Sequence, residues 1–426
     1  MNIGLYGVSR CGKNYLIERL LETINKKAAN TLYHINGSGI LDRLSCDKFG
    51  IPLKETEEWQ KNELRLMFCD EIVKISNDYQ HIIVDGHYCF YKNDVFEIAF
   101  TDKDRDVYDI FFYINTPASV IIKQANNDIK KKDVAFMTEE KVNAWKEFEI
   151  QSLREICLNY DKEFVVLDNN IEDCIDYFET MLLGTREILL NSALIAEYII
   201  LKNQKLINEY KNLILLDCDR TISNNDTTYD FCDKIGIDKQ KLKNIFSGEF
   251  YSLYQFFKAA KLYAEKDVSL YESASFDAME KAVLNMPLLE DIKQNGNGYL
   301  TIGITSGILK IWERVQEKQR FPSFIAGGSN IKTDKIIVSR AVKYYLVKNL
   351  KKIGKYIIAV GDSMIDIDML KEADKAFIVA QEKINPSVEI YLESNKTDIE
   401  QLEYNKMYYD GIPIRRSLFD ECNFSF

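Results

Sequence analysis

Four aspartates in the second half of the chain stand directly after apolar runs. Leu213-Ile214-Leu215-Leu216 leads into Asp217-Cys218-Asp219-Arg220-Thr221, and Tyr356-Ile357-Ile358-Ala359-Val360 leads into Gly361-Asp362-Ser363-Met364-Ile365-Asp366. Two acids held as close as Asp217 and Asp219 repel unless a cation or a shared proton intervenes. The chemistry this pattern suits is a Mg²⁺-assisted phosphate site. Asp217 attacks phosphorus, Asp219 delivers and removes the proton, and Asp362 and Asp366 add carboxylate oxygens for the metal. Between the two acid pairs, Tyr299 to Ile304 leads into Thr305-Ser306-Gly307. A strand-end hydroxyl followed by glycine suits phosphate oxygens as charge builds on them. Arg340, Lys343 and Lys348 fall on an expected helix over 336–350.

The first half has its own phosphate signal. Ile3 to Tyr6 leads into Gly7-Val8-Ser9-Arg10-Cys11-Gly12-Lys13-Asn14, with a helix expected from Tyr15. Gly7 and Gly12 let backbone N–H groups wrap a phosphate, the helix N-terminus favours negative charge, and Lys13 reaches the terminal phosphates of ATP. Asn14 stands where this motif has a Mg²⁺-binding hydroxyl and offers an amide oxygen instead. Asp85, at the end of His81 to Val84, can hold the Mg²⁺. Lys130 to Lys132 suit a lid closing over phosphates, with Lys131 as a nucleotide contact. Asn36, Ser38 and Asp42 are acceptor-side candidates, with turn chemistry as the plainer reading.

Positioning these residues takes two parallel sheets, because strand ends of an α/β sheet gather on one edge. Strands are expected at 3–6, 32–36, 81–85, 107–114 and 163–167, then at 213–216, 299–304, 324–326 and 356–360. Helices are expected at 118–131, 138–158, 171–183, 186–210, 229–235, 239–246, 253–264 and 276–284. The fold class is therefore α/β with two domains: 1–184, a helical connector at 185–211, and 212–426 with a helical insertion at about 223–297 that roofs the second site. Its aromatic run at 250–257 suits burial or base stacking, with burial the plainer reading, and Glu249, Lys258 and Lys261 are its polar candidates.

A chain of 426 residues exceeds one ordinary core. The net charge of -11 argues against a surface that coats nucleic acid, while leaving room for a local basic groove. Nine cysteines without regular spacing suit a reducing compartment, and three histidines make a histidine-rich zinc site unlikely. The N-terminus lacks the pattern of a signal peptide and Ile188 to Leu201 is too short and too polar to span a bilayer, so a cytoplasmic, non-membrane protein is expected. Oligomeric state is not legible.

Residues 1 to about 180 resemble the adenylate-kinase-like branch of P-loop kinases, nearest the archaeal type. The resemblance rests on Gly7 to Asn14, Ile83-Val84-Asp85-Gly86-His87, Tyr108 to Ile114, the Asp128 to Val134 run and Glu147-Phe148-Glu149. It implies transfer of the γ-phosphoryl group of ATP. Residues 212 to 385 resemble the haloacid-dehalogenase superfamily of phosphatases, in the phosphoserine-phosphatase-like branch with a helical cap on a Rossmann-like sheet. That resemblance implies Asp217 as nucleophile, Asp219 as general acid and base, and Thr305 on the phosphate. It implies Mg²⁺ on Asp217, Asp362, Asp366 and the backbone carbonyl of Asp219, with Arg340 or Lys343 as the basic residue beside the phosphate. The expected protein is a phosphomonoesterase fused to a kinase-like domain, acting on nucleotides or related small phosphorylated compounds. The pairing also resembles polynucleotide end-healing enzymes, which makes nucleic-acid ends an alternative substrate, and the first domain has a nucleotide-sensing alternative.

Overall fold

In the computed structural model, which describes residues 1–92, 95–127, 138–247, 250–380, 384–395, 399–402 and 414–419, the apolar runs that end in polar loops are strands. Two units divide the chain, Met1–Thr185 and Arg186–Phe426.

In the first unit β1 (Asn2–Tyr6), β2 (Leu32–Ile35) and β3 (His81–Asp85) belong to a five-stranded parallel sheet. After an antiparallel hairpin of β4 (Cys89–Lys92) and β5 (Val95–Ile98), the sheet is completed by β6 (Ile110–Ile114) and β7 (Glu163–Leu167). The order is β2-β3-β1-β6-β7. All of Ile-Phe-Phe-Tyr-Ile in β6 is buried, as a parallel strand covered by helices on both faces requires. Register pairs Leu5 with Asp85, so the acid of β3 stands beside the loop leaving β1.

Two local features depart from the sequence expectation. The strand expected from 107 starts at Ile110, because Thr101 and Asp104 form a reciprocal capping box that makes Asp102–Val107 a helix. The β4–β5 hairpin was not expected, and its rings pack in series. Tyr91 stacks on Phe96 with centroids 4.7 Å apart, and Phe96 on Phe148 at 4.2 Å. Beyond Asn127, the expected helix to 131 and the lysine run lie outside the described residues.

The second unit holds a seven-stranded parallel sheet of β8 (Asn212–Asp217), β9 (Tyr299–Thr305), β10 (Phe324–Gly327), β11 (Tyr356–Gly361), β12 (Lys375–Val379), β13 (Glu400–Leu402) and β14 (Ile414–Arg415). Their order is β10-β9-β8-β11-β12-β13-β14. From β8 the chain builds to one side through β9 and β10, then crosses to β11 on the other. The crevice at the carboxyl ends of β8 and β11 is thus a topological switch point, where α/β sheets bind ligands.

Between β8 and β9 the chain makes a helical excursion. It leaves at Ser223 and returns at Leu284, where the two residues form an antiparallel bridge. Helices Thr227–Lys234, Lys239–Ile245, Leu253–Ala264 and Val268–Glu280 lie between, and Met286–Asn295 leads into β9. The helix expected at 276–284 therefore begins earlier and stops before the bridge. Leu253, Tyr254, Phe256 and Phe257 are buried, so the aromatic run is core.

Caps also explain two other shifts. Ser339 accepts from Val342 N at 3.4 Å, so the basic helix spans Arg340–Lys352 rather than starting at 336. Asn191 accepts from Leu194 N at 3.0 Å, so the segment expected as one helix from 186 begins at Ser192 and breaks into Ser192–Lys202 and Gln204–Asn208. Helix Ser192–Lys202 packs against Arg340–Lys352 within the second unit. Among the described residues no helix is long and apolar enough to cross a membrane, and the eight described cysteines are free thiols.

Candidate active site

At the switch point of the second unit, carboxylate oxygens of Asp217, Asp362 and Asp366 lie within 4.8 Å of one another. Asp217 is the last residue of β8. Asp362 follows β11, and its loop folds back so tightly that a Cβ on Gly361 would sit 2.5 Å from the Cβ of Asp366. Glycine is required there. Asp366 Oδ2 accepts from Asp362 N at 3.3 Å, from Ser363 N at 3.1 Å and from Ser363 Oγ at 2.8 Å, which fixes the loop.

Lys343 reaches this cluster from the first turn of its helix. Its Nζ donates to Asp217 Oδ1 at 2.5 Å and to Asp366 Oδ1 at 2.7 Å. Arg340, three residues earlier and on the same face, forms a buried fork to Asp368 at 2.7 and 3.0 Å. Both cations thus serve the 366–368 segment, and it is Lys343 that stands among the three clustered acids.

Three carboxylates face one ammonium, leaving two negative charges without a partner in the cluster. Burial works against a charged Lys343, but Asp217 and Asp366 override it and push its pKa up. Asp217 is raised by burial, with Lys343 pulling it down and Asp366 and Asp362 pushing it further up. Burial and then Asp366 push Asp362 up to about 8. An excess of acid over base in a small oxygen-lined site fits a hard divalent cation such as Mg²⁺.

Asp219 faces a different set of partners. Its Oδ1 accepts from Thr227 N at 2.6 Å and Thr227 Oγ1 at 2.7 Å, and its Oδ2 from Trp312 Nε1 at 3.3 Å. Burial, followed by the nearby Asp226, pushes it up to about 6. The side chain is thus held by the excursion and by helix Leu309–Gln319, apart from the three-acid cluster, and the metal role expected of Asp219 concerns its backbone carbonyl. Thr305 ends β9 next to β8, is buried, and accepts from Gly307 N at 2.9 Å. A Cβ on Gly307 would lie 2.8 Å from Asp219 Oδ2, so the Thr305 loop and Asp219 close on one another.

In the first unit Gly7 and Gly12 have φ of 147° and 101°, and Lys13 opens the helix Lys13–Lys27. Lys13 Nζ donates to the Gly7 carbonyl and, at 3.4 Å, to that of Val8. Thr116 Oγ1 donates to the Cys11 carbonyl at 2.6 Å and ties the loop to the end of β6. Asn14 is exposed. Asp85 Oδ1 lies 2.8 Å from His34 Nε2. Burial raises Asp85, but His34 and Lys13 together bring it below the usual carboxylate range. Asn36 caps the helix Gly37–Phe49 through Gly39 N, Ser38 donates to Asn36, and Asp42 accepts from Leu53 N at 2.8 Å, all turn and cap roles. Lys131 and Glu249 lie outside the described residues.

No family model matches the chain, and no curated protein is similar enough to count as a relative. Solved structures are similar in part. A phosphoserine phosphatase in its apo form is 21% identical over 44% of this chain and 92% of its own, with a TM-score of 0.33. A phospho-aspartyl intermediate analogue of phosphoserine phosphatase is 20% identical over 45% and 92%, with a TM-score of 0.32. A shikimate kinase from Bacteroides thetaiotaomicron is 15% identical over 43% and 98%, with a TM-score of 0.28.

Several residues at these sites escape sequence reasoning. His34 meets Asp85 because β2 and β3 are neighbours, a pairing no local pattern reveals. Trp312 and Asp226 reach Asp219 from separate elements. Glu149, part of the run that carries the first unit's resemblance, is buried and accepts from Cys89 N at 3.1 Å and Tyr113 Oη at 2.9 Å, partners no local pattern reveals, and burial pushes its pKa up. The β4–β5 hairpin was more accessible to inspection: Asn93-Asp94 separates two runs rich in aromatic and β-branched residues.

Proposed function

We propose that the second unit is a Mg²⁺-dependent phosphomonoesterase of the haloacid-dehalogenase type, and that the first binds ATP and transfers its γ-phosphoryl group. The observation that carries the phosphatase reading is Lys343 bridging Asp217 and Asp366 with Asp362 alongside, at the sheet's switch point. Asp217, Asp362 and Asp366 would hold Mg²⁺, which when bound offsets charge on the phosphate and the acids.

The remaining chemistry belongs to side chains. Asp217 attacks phosphorus and forms an aspartyl-phosphate, while the departing alkoxide takes the proton of Asp219. A pKa near 6 suits Asp219 to this duty, since it keeps a proton that an ordinary carboxyl would have lost. Water then gives a proton back to Asp219 and attacks the aspartyl-phosphate, releasing phosphate and freeing Asp217. Thr305 donates to a phosphoryl oxygen, and Lys343 holds Asp217 in place and balances charge.

For the first unit, support comes from the glycine-flanked loop, Lys13 at its helix start and Asp85 beside it. Lys13 would turn from the loop carbonyls to the phosphates of ATP, with Asp85 and Asn14 placed to hold Mg²⁺. The substrates proposed are nucleotides or related small phosphorylated compounds, because the helical excursion stands over the phosphatase edge. Phosphate release from a panel of phosphomonoesters, with and without Mg²⁺, tests the first reading. Lys13-dependent consumption of ATP tests the second. Absence of Mg²⁺-dependent release across the panel would overturn the phosphatase assignment.

A further inference from the structure

We infer that the Thr228 hydroxyl selects phosphomonoesters with a hydroxyl on the carbon next to the ester carbon, the pattern of polyol phosphates. This deepens the phosphatase reading and rests on it. The geometry that carries it is centred on Gly307. A Cβ there would lie 2.8 Å from Asp219 Oδ2, 2.9 Å from Thr228 Oγ1 and 3.3 Å from Thr305 Oγ1. Three side-chain oxygens thus converge on one point from three elements. Asp219 comes from the loop after β8, Thr228 from the excursion's first helix, Thr227–Lys234, and Thr305 from the end of β9. Only glycine allows so close an approach.

The three oxygens divide the ester between them. Thr305 serves the phosphoryl group in the proposed reaction. Asp219 Oδ1 accepts twice from Thr227, at 2.6 and 2.7 Å, and Oδ2 once, from Trp312 Nε1 at 3.3 Å. Oδ2 is therefore the oxygen with room for the proton that the leaving alkoxide takes. Thr228 Oγ1 meets Oδ2 at the same glycine, so it borders the leaving alcohol. The two neighbouring threonines differ in how they are used. Thr227 is fully buried and its hydroxyl is spent on Asp219. Thr228 is half-buried, its N–H donates to Asp226 Oδ1 at 3.1 Å, and its hydroxyl makes no hydrogen bond among the described residues. A hydroxyl both donates and accepts, which suits it to another hydroxyl. In a 2-hydroxyalkyl ester the leaving oxygen and the free hydroxyl sit on adjacent carbons. One can then take the Asp219 proton while the other bonds Thr228.

A matched pair of esters tests the inference. 2-Hydroxyethyl phosphate and ethyl phosphate differ in that hydroxyl alone. With Mg²⁺ the wild-type protein should hydrolyse the hydroxylated ester with the higher kcat/KM. Thr228→Val replaces the hydroxyl by a methyl of like size and should lower the ratio of the two values about tenfold, through KM, as the loss of one hydrogen bond does. Thr228→Ser should recover the ratio, and calorimetry should give both variants a melting temperature close to that of the wild type. A ratio that valine leaves unchanged, or that serine does not recover, would overturn the inference, as would turnover of p-nitrophenyl phosphate with neither alkyl ester hydrolysed. In each of these cases Mg²⁺-dependent turnover would leave the phosphatase reading intact. Absence of Mg²⁺-dependent release from all three esters would overturn both.

Discussion

The two sheets carry different sets of charged side chains at the same kind of edge. In the first unit the strand ends carry a glycine-flanked loop, one buried lysine and one aspartate paired with histidine. In the second they carry three clustered aspartates around one buried lysine. Parallel sheets wrapped in helices thus carry different charged sets at corresponding edges, and the difference lies in a few side chains in and around the strand-end loops. Lys13 and Lys343 mark it most clearly. Lys13 lies against neutral carbonyls, whereas Lys343 is locked between two carboxylates.

The largest effect that could break this contrast comes from Asp217→Asn. Phosphate release should fall at least about 10³-fold, since the nucleophile is gone. The melting temperature and ATP binding should be kept, measured by calorimetry and nucleotide titration. Retained turnover would mean that the clustered acids do not perform the chemistry.

Lys343→Met sharpens the electrostatic half of the comparison. Removing the ammonium leaves buried acids uncompensated, a change that typically costs about 3–5 kcal/mol. Denaturant unfolding should show the loss, and added Mg²⁺ should recover part of it. The pH dependence follows from the direction of the shifts. Asp217 and Asp362 bind protons more tightly folded than unfolded, so the stability they contribute is full below the unfolded carboxyl range and declines as pH rises toward about 8. The deficit of the variant should therefore widen over that window. A deficit that neither grows with pH nor shrinks with Mg²⁺ would show that the lysine acts by packing alone.

Lys13→Ala addresses the other edge. ATP-dependent phosphoryl transfer should fall about 100-fold, with phosphatase turnover of a simple ester kept. Loss of both would show that the units are obligatorily coupled.

Why some of this was legible in the sequence and some not follows from range. Strands such as those containing 164–167 and 213–216 are continuous apolar runs, and the acids after the second-unit runs are local, so the α/β class and the four aspartates could be read directly. Lys343 is only slightly favoured over Arg340 by the sequence, because residues three apart share one helix face and the difference lies in which carboxylate each meets. Ser339, whose cap fixes that register, is a local signal that the apolar Ile336-Ile337-Val338 obscures. The contacts of Asp219 with Trp312 and of Asp85 with His34 span 93 and 51 residues, and only the tertiary fold brings them together.

The Asp219 proton offers a smaller, graded test. With its pKa at about 6, the acid form is present below that pH and declines tenfold per unit above it. Single-turnover phosphoenzyme formation from an alkyl phosphate should therefore slow as pH rises from 6 to 8. An ester with a good leaving group, such as p-nitrophenyl phosphate, should be far less affected. Identical profiles for the two esters would remove Asp219 from the leaving-group step.

The smallest effect expected concerns Asn14, where the first edge departs from its own pattern. The Asn side chain is longer and bulkier than serine and sets its oxygen farther from the start of the helix than a serine hydroxyl would. Asn14→Ser should raise the rate of phosphoryl transfer about threefold to tenfold, equivalent to about 1 kcal/mol in the barrier. The side chain is exposed, so stability should hardly change, and a rate gain without a stability gain would locate the defect in metal placement. An unchanged rate, with ATP still bound through Lys13, would indicate that the hydroxyl is not what limits this edge and would favour a nucleotide-sensing role for the first unit.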